Sequence, residues 1–252
     1  VCSDSCSANL LSMIVLFTDF GPAGPYTGQM QAVLHSKAPA IPLVDLVCDA
    51  PSFNVRASAY LLASLIDAFP VESVFLCVVD PGVGTERLPL AMRADGRWFV
   101  GPGNGLFDIV ARRAKALDVW QITWLPEQLS SSFHGRDLFA PVAALLAGGE
   151  LPPGRLLSDC AKHDDWPDDL FEVIYIDHFG NALTGIRATA LAPENLLRID
   201  GRIIDPARTF SDVCVGALFW YKNSNGLVEI AMNRGSASRE LGLSVGRAIT
   251  CV

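Results

Sequence analysis

Nowhere do the 252 residues hold a run of roughly 18 consecutive apolar side chains, so a membrane-spanning helix is not expected. The apolar stretch Leu10–Phe17 is short and runs straight into Thr18-Asp19. It reads as a first strand and not as a signal-peptide core. The chain begins on Val1 rather than Met, which leaves targeting open. Positive charge is scarce: 19 Lys and Arg face 27 Asp and Glu, a formal net charge of −8. That balance argues against a partner held by its phosphate backbone, which needs clustered cations. Three signatures are missing as well. Without G-x-x-x-x-G-K-[ST], a G-x-G-x-x-G opening a helix, or G-x-S-x-G, a P-loop, a Rossmann dinucleotide site and a serine-hydrolase elbow are excluded. Seven cysteines are scattered; Cys2 and Cys6 form a C-x3-C pair with no second pair at zinc-site spacing. Cys48 and Cys77 lie in apolar runs, where a free thiol behaves as a small hydrophobe. Free thiols in a reducing cytoplasm are the expectation.

Half of the residues are apolar, enough for a sizeable core. The first 150 residues alternate strand-like and helix-like stretches. Met13–Thr18, Ile41–Val47 and Val74–Val79 read as strands, and Leu88–Arg93 with Arg97–Val100 as a hairpin around Asp95-Gly96. Gly28–Ser36, Asn54–Phe69, Leu106–Ala116 and Asp137–Leu146 read as helices, with Asn54 an N-cap and Gly148-Gly149 a stop. This alternation predicts an α/β domain over residues 1–160 with a mostly parallel sheet. Leu151-Pro152-Pro153-Gly154 and the acidic Asp164–Asp169 run read as a linker. Beyond it come short strand-like runs: Phe171–Ile176, Leu196–Ile199, Arg202–Ile204, Ala217–Tyr221, Leu227–Met232 and Ala248–Val252. They predict a small all-β, barrel-like domain over 170–252.

Several short islands can carry chemistry. Asp19 closes the first strand and reads either as a ligand-facing acid or as an Asx-turn. Val74–Val79 ends on Asp80, followed by the turn Pro81-Gly82-Val83-Gly84 and by Arg87. A glycine-lined turn after a buried strand suits backbone that must approach a ligand closely. His134, one of only four histidines, sits in Phe133-His134-Gly135-Arg136-Asp137 before a helix. Asp80, Arg87 and His134 together can orient or deprotonate a water; an ordinary Asp–Arg ion pair beside an exposed His is the plainer reading. Asp177-His178-Phe179-Gly180-Asn181 offers an acid, a ring and an amide that can grip a nucleoside, or it is simply a hairpin tip. Asn233-Arg234-Gly235-Ser236-Ala237 resembles a backbone nest.

In this order, these islands and Gly101-Pro102 with Asn104-Gly105 resemble the S-adenosyl-L-methionine (SAM) hydroxide adenosyltransferases. That family is homologous to the SAM-dependent fluorinase and chlorinase. The resemblance implies an N-terminal α/β domain, a C-terminal β-barrel and a homotrimer with SAM between the N-domain of one subunit and the C-domain of the next. It implies that Asp80, Arg87 and His134 hold the attacking water or hydroxide. Asp19 would take the ribose diol and Phe53 would pack beside it, with Phe133 and Asn233 also among the substrate contacts. Asp177 and Asn181 would contact the nucleoside, Phe179 and Phe210 would flank the base, and Ser224 would face the methionine carboxylate. SAM would be substrate, and no cofactor or metal is expected. The implied reaction is hydrolysis to adenosine and L-methionine. A SAM- or nucleoside-binding protein with little turnover and a chlorinase are the alternatives. Against a halogenase, only ten residues separate Arg87 from Trp98, so the fluorinase's insertion is absent. Asp80 would also repel a halide in a desolvated site. The chain departs from the family at Gly24, Gly103 and Gly185, where an acid, an acid and an Asn are usual.

Overall fold

A computed structural model describes residues 12–158 and 165–252. Cys2, Cys6, Cys160, His163 and the start of the Leu10–Phe17 run lie outside the described residues. The elements are β1 (Ile14–Thr18), α1 (Tyr26–Lys37), β2 (Leu43–Val47), α2 (Val55–Leu65), β3 (Val74–Val78), β4 (Pro89–Ala94), β5 (Arg97–Pro102), α3 (Asp108–Arg113) and β6 (Leu117–Ile122). There follow α4 (Ala140–Ala147), β7 (Gly154–Leu156), β8 (Leu170–Ile176), β9 (Ala182–Arg187), β10 (Leu197–Ile199), β11 (Arg202–Ile204), β12 (Leu218–Lys222), β13 (Leu227–Met232), α5 (Ala237–Leu241) and β14 (Thr250–Cys251). They form two compact units. The first holds described residues 12–49, 67–104 and 111–158; the second holds 50–66, 105–110 and 165–252.

The first unit is built on one seven-stranded sheet in the order β2-β1-β3-β5-β4-β6-β7. β1 pairs in parallel with β2 and β3, and β3 with β5; the β5-β4, β4-β6 and β6-β7 pairings are antiparallel. Five strands therefore run one way, and only β4 and β7 oppose them. β1 and β3 are buried along their full length, as central strands of a covered parallel sheet must be. Ile14, Leu16, Val74, Leu76 and Val78 form one core with Met30 and Leu34 of α1 and the apolar helix α4. The β4–β5 hairpin turns on Asp95 (φ 46°) and Gly96 (φ 85°), the doubly left-handed geometry that an Asp-Gly pair supplies.

Several expectations need correction here. The helix read over Leu106–Ala116 spans only Asp108–Arg113, because the Asp95 carboxylate accepts the N–H groups of Lys115 and Ala116 and draws them out of the helix. β6 was not anticipated, although Leu117-Asp-Val-Trp-Gln-Ile122 alternates. Pro152-Pro153-Gly154 is not a linker: it leads into β7, which pairs with β6 at the sheet edge. Gly154 is required there, since a Cβ would stand 2.0 Å from the Gln121 carbonyl oxygen.

In the second unit, one antiparallel sheet has the order β12-β13-β9-β8 and another β11-β10-β14. Two bridges join them, Glu172 to Ala248 and Pro206 to Trp220, so the strands close into a barrel-like ring. Val173, Ala182, Ile186, Leu197, Trp220, Val228 and Ile230 fill its interior. β9 was missed, since no strand was read between Ile176 and Leu196. Gly185 is tolerated mid-strand because a Cβ would lie 2.6 Å from that of Leu170. Asp169, expected in a linker, instead grips the Arg187 guanidinium and backbone N–H. Asn54 caps α2, its side chain accepting from the Ala57 N–H at 3.0 Å. No helix among the described residues is long and apolar enough to cross a membrane. Cys48, Cys77, Cys214 and Cys251 are free thiols, and Cys77 is fully buried.

Candidate active site

The strand order β2-β1-β3 places a topological switch point between β1 and β3, where open α/β sheets hold ligands beyond the carboxyl ends of their strands. Thr18 pairs with Val78 in the parallel register, so Asp19 and Asp80 leave adjacent strands one residue out of step. Asp80 then enters a tight turn, its carbonyl accepting from the Val83 N–H at 3.2 Å. The sequence suggested close approach of backbone to a ligand at this turn; Gly84 has a packing role. Gly84 has φ 80°, and a Cβ there would stand 2.8 Å from the Ser131 carbonyl oxygen. The missing side chain instead lets the loop that carries His134 lie against the turn that carries Asp80. Gly135 fits this loop as tightly below: a Cβ would meet Met30 Sδ at 3.0 Å and Val78 Cγ2 at 3.4 Å.

The result is a three-residue cluster. Arg87 clasps Asp80 with two N–H groups, Nε to Oδ1 at 2.9 Å and Nη2 to Oδ2. Both side chains are at least nine-tenths buried. The same Nη2 reaches His134 Nδ1 at 3.1 Å. The guanidinium lies over the ring of Phe139, 5.3 Å from its centroid. Phe139 ends a π-helical turn, Gly135–Phe139, that precedes α4. Such turns re-aim side chains and recur at functional sites. Arginine can only donate, so Nδ1 must accept, and the proton of the neutral ring rests on Nε2. Burial first, and then the Arg87 charge, hold the His134 imidazole below its ordinary pKa, against the pull of Asp80 and Asp137. His134 is thus neutral and its Nε2 is a donor. A base at Nε2 would need the Nδ1 proton to point at an arginine N–H, so this arrangement does not support water deprotonation by His134.

The remaining expected residues sort by unit. Asp19 lies in the first, beside β3. Phe133 is buried there against Phe20 and Tyr26, with ring centroids 5.8 and 5.4 Å away, and Arg136 lies over its face. Its packing is that of a core ring. Asn104 donates to the Val79 carbonyl at 2.9 Å and ties its loop to the end of β3. Gly103 has no room for the usual acid, since a Cβ would lie 2.8 Å from the Leu88 carbonyl oxygen. Gly24, at φ 156°, occupies a backbone conformation that other residues rarely adopt.

The second unit holds Phe53, Asp177, Phe179, Asn181, Phe210, Ser224 and Asn233. Phe53 (φ 60°) and Phe179 present large exposed rings, 78% and 74% accessible. Asp177 is an Asx-turn acid: Oδ1 accepts the N–H groups of Phe179 and Asn181, and Oδ2 accepts Asn181 Nδ2 at 3.0 Å. The hairpin-tip reading of this island therefore holds, and it is this tip that lifts Phe179 outward. Gly180 packs on Ser236, the N-cap of α5, so Asn233–Ala237 is a strand-to-helix cap. Asn233 Nδ2 donates to the Val213 carbonyl at 2.8 Å. Phe210 packs edge-on against Phe219 and Tyr221, and Ser224 rides the turn between β12 and β13. Sequence reasoning passed over Tyr221, Asn223 and Glu229, the first two of which donate hydrogen bonds to the third. The signal for them was a glutamate, Glu229, in the middle of an otherwise apolar strand.

Two family models match the chain: the SAM hydroxide adenosyltransferase N-terminal domain over residues 14–156 and its C-terminal domain over 171–250. The chain belongs to the SAM hydroxide adenosyltransferase family. It is 37% identical to an (R)-S-adenosyl-L-methionine hydrolase of Thermus thermophilus, covering 94% of this chain and 98% of that one. A crystal structure of a conserved protein from Thermotoga maritima superposes with a TM-score of 0.86 at 32% identity, covering 95% of this chain and 99% of that one. A fluorinase of Nocardia brasiliensis is more distant, 26% identical over 94% of this chain and 95% of its own length. As a family member the chain carries both characteristic domains, and the Asp80–Arg87–His134 cluster lies inside the N-terminal match.

Proposed function

We propose that this chain hydrolyses SAM to adenosine and L-methionine, by in-line attack of water on the ribose 5′ carbon. The observation that carries the reading is the Arg87 guanidinium shared between Asp80 and His134 at the β1/β3 switch point, in a chain of this family. Water oxygen forms a bond to C5′, the C5′–S bond breaks, and its electron pair returns to sulfur as the neutral thioether of methionine. The sulfonium is already a good leaving group, so departure needs no acid, metal or redox cofactor. The protein's task is placement, which can remove several kcal/mol of barrier, up to about 7–11 in well-oriented cases. Asp80 accepts a hydrogen bond from the water and His134 donates from Nε2, so both fix its lone pair on the carbon. Both Asp80 oxygens already receive Arg87 N–H groups, which fixes the carboxylate as an orienting acceptor. The water's proton leaves as the C–O bond forms, toward Asp80 and then solvent.

Substrate contacts follow the family resemblance: Asp19 at the ribose diol with Phe53 beside it, and Asp177 and Asn181 at the nucleoside. Phe179 and Phe210 flank adenine, Ser224 meets the amino-acid end, and Asn233 is a further substrate contact. The rings of Phe53 and Phe179 support this reading, since both are largely exposed. We place the protein in a reducing cytoplasm as a homotrimer in which a neighbouring copy completes each site. Light scattering should then give about three times the 27.1 kDa chain mass.

The direct test is incubation of the purified protein with SAM, with and without chloride, and chromatographic separation of the products. Adenosine with methionine is expected. Tight binding without product would make it a binding protein, and 5′-chloro-5′-deoxyadenosine would make it a chlorinase; either outcome overturns the proposal.

A further inference from the structure

Glu229 is a buried carboxylate to which the reaction assigns nothing. It sits in the middle of β13, 5% exposed, between Val228 and Ile230, whose side chains point into the barrel. Alternation along the strand sends Glu229 to the outer face, with Tyr221 directly opposite it in the antiparallel register. Each carboxylate oxygen has its own donor: Tyr221 Oη to Oε1 at 2.7 Å and Asn223 Nδ2 to Oε2 at 2.9 Å. A carboxylate this deep in a sheet is costly unless such donors hold it.

Each donor leads on to a different place. The Tyr221 ring stands 5.5 Å from Phe210, so its orientation sets the wall on which Phe210 leans. Burial and then the Glu229 hydrogen bond keep the tyrosine hydroxyl well above its ordinary pKa, hence a donor at any physiological pH. Asn223 is 6% exposed, and its Oδ1 accepts the N–H groups of Asn225 at 3.0 Å and Leu227 at 2.9 Å. Those bonds build the turn that displays Ser224. One carboxylate therefore anchors two arms, an aromatic one ending at Phe210 and a turn ending at Ser224.

We propose that Glu229 is a positioning residue that aligns the adenine-flanking ring and the methionine-facing turn, so that both ends of SAM are gripped in register. The proposal rests on the substrate contacts assigned to Phe210 and Ser224 above. Glu229 touches no reacting atom, so its loss should raise KM for SAM far more than it lowers kcat.

The test compares E229L, E229Q and Y221F, with calorimetric affinities for adenosine and for L-methionine, SAM kinetics and a melting curve for each. E229L removes both hydrogen bonds and should weaken adenosine and methionine together, each by roughly tenfold. E229Q should be close to wild type, because the Tyr221 hydroxyl can turn to accept from the new amide while Asn223 still donates to its oxygen. Y221F cuts only the aromatic arm and should weaken adenosine alone. A folded E229L with wild-type affinities, or an E229Q as impaired as E229L, overturns the positioning role. Should E229L not fold, Y221F with unchanged adenosine affinity overturns it instead. Wild-type protein that binds neither product would sink the assignment of the site itself, a failure distinct from these.

Discussion

Gly84→Ala tests whether the fold brings the two halves of the Asp80–Arg87–His134 cluster together through one absent side chain. The substitution has two effects that can be separated. The first is backbone strain: at φ 80° a non-glycine residue loses about 1–2 kcal/mol. The second is displacement, since the new Cβ would lie 2.8 Å from the Ser131 carbonyl oxygen, and backbone must move by several tenths of an ångström to relieve it. Ser131 lies three residues before His134, so the shift passes into the loop that aims the imidazole at Arg87. Gly96→Ala is the control. Its φ is 85°, but its Cβ would meet only Val71 at an ordinary 3.6 Å, in a hairpin turn with no site residue. Both variants should lose roughly 2–4 °C of melting temperature per kcal/mol. Only Gly84→Ala should also lose turnover, by a factor on the order of 10² if the water is misplaced by a large fraction of an ångström. Melting curves and single-turnover rates with SAM decide it. If Gly84→Ala keeps the turnover of Gly96→Ala, the Ser131 contact does not set the position of His134, and the reasoning fails.

Further outcomes follow from the same geometry. Asp80→Asn should cut kcat by about 10² or more while changing KM only a few-fold, because it alters the water's partner and not the substrate grip; initial rates over a SAM series check this. His134 titrates below its ordinary value, so kcat/KM should be flat above about pH 6.5 and fall only as acid protonates Nδ1 and breaks the Arg87 contact. The sign for stability is the same: the unfolded chain binds that proton first, so the contribution is present above about pH 6.5 and is lost as pH falls through the depressed folded value. Arg87→Ala removes the second cause of the depression and should move the acid limb of the rate profile upward, measurable on whatever activity remains. Phe179→Ala, on an exposed ring, should leave the melting temperature within about 0.5 kcal/mol equivalents yet raise KM, as a lost adenine stack would.

Much of the architecture could be read from local pattern. Val74–Val79 ends on an acid, and that alone placed Asp80 at a strand's carboxyl end. Asn54 before a helical repeat and Asp95-Gly96 between two apolar runs acted as predicted, because caps and tight turns depend on a few neighbouring residues. Elements whose reason is tertiary were misread. The reason for Gly185 in mid-strand shows only once Leu170 is seen across the sheet, and the end of α3 depends on Asp95, some 20 residues earlier. The candidate site divides in the same way. The residue types Asp80, Arg87 and His134 were visible, and so was their family pattern. Sequence alone could not show that the Asp80–Arg87 ion pair also engages His134, because that contact joins residues 47 positions apart. It also could not assign the histidine's tautomer, which is set by a donor that only the folded loop delivers. Composition, strand alternation and six short islands thus determined the class of fold and the chemistry available. Only tertiary packing decided that Gly84 lets two loops meet, that His134 accepts from Arg87 at Nδ1, and that Glu229 ties Phe210 to Ser224, since each rests on contacts between backbone segments that chain order does not bring together.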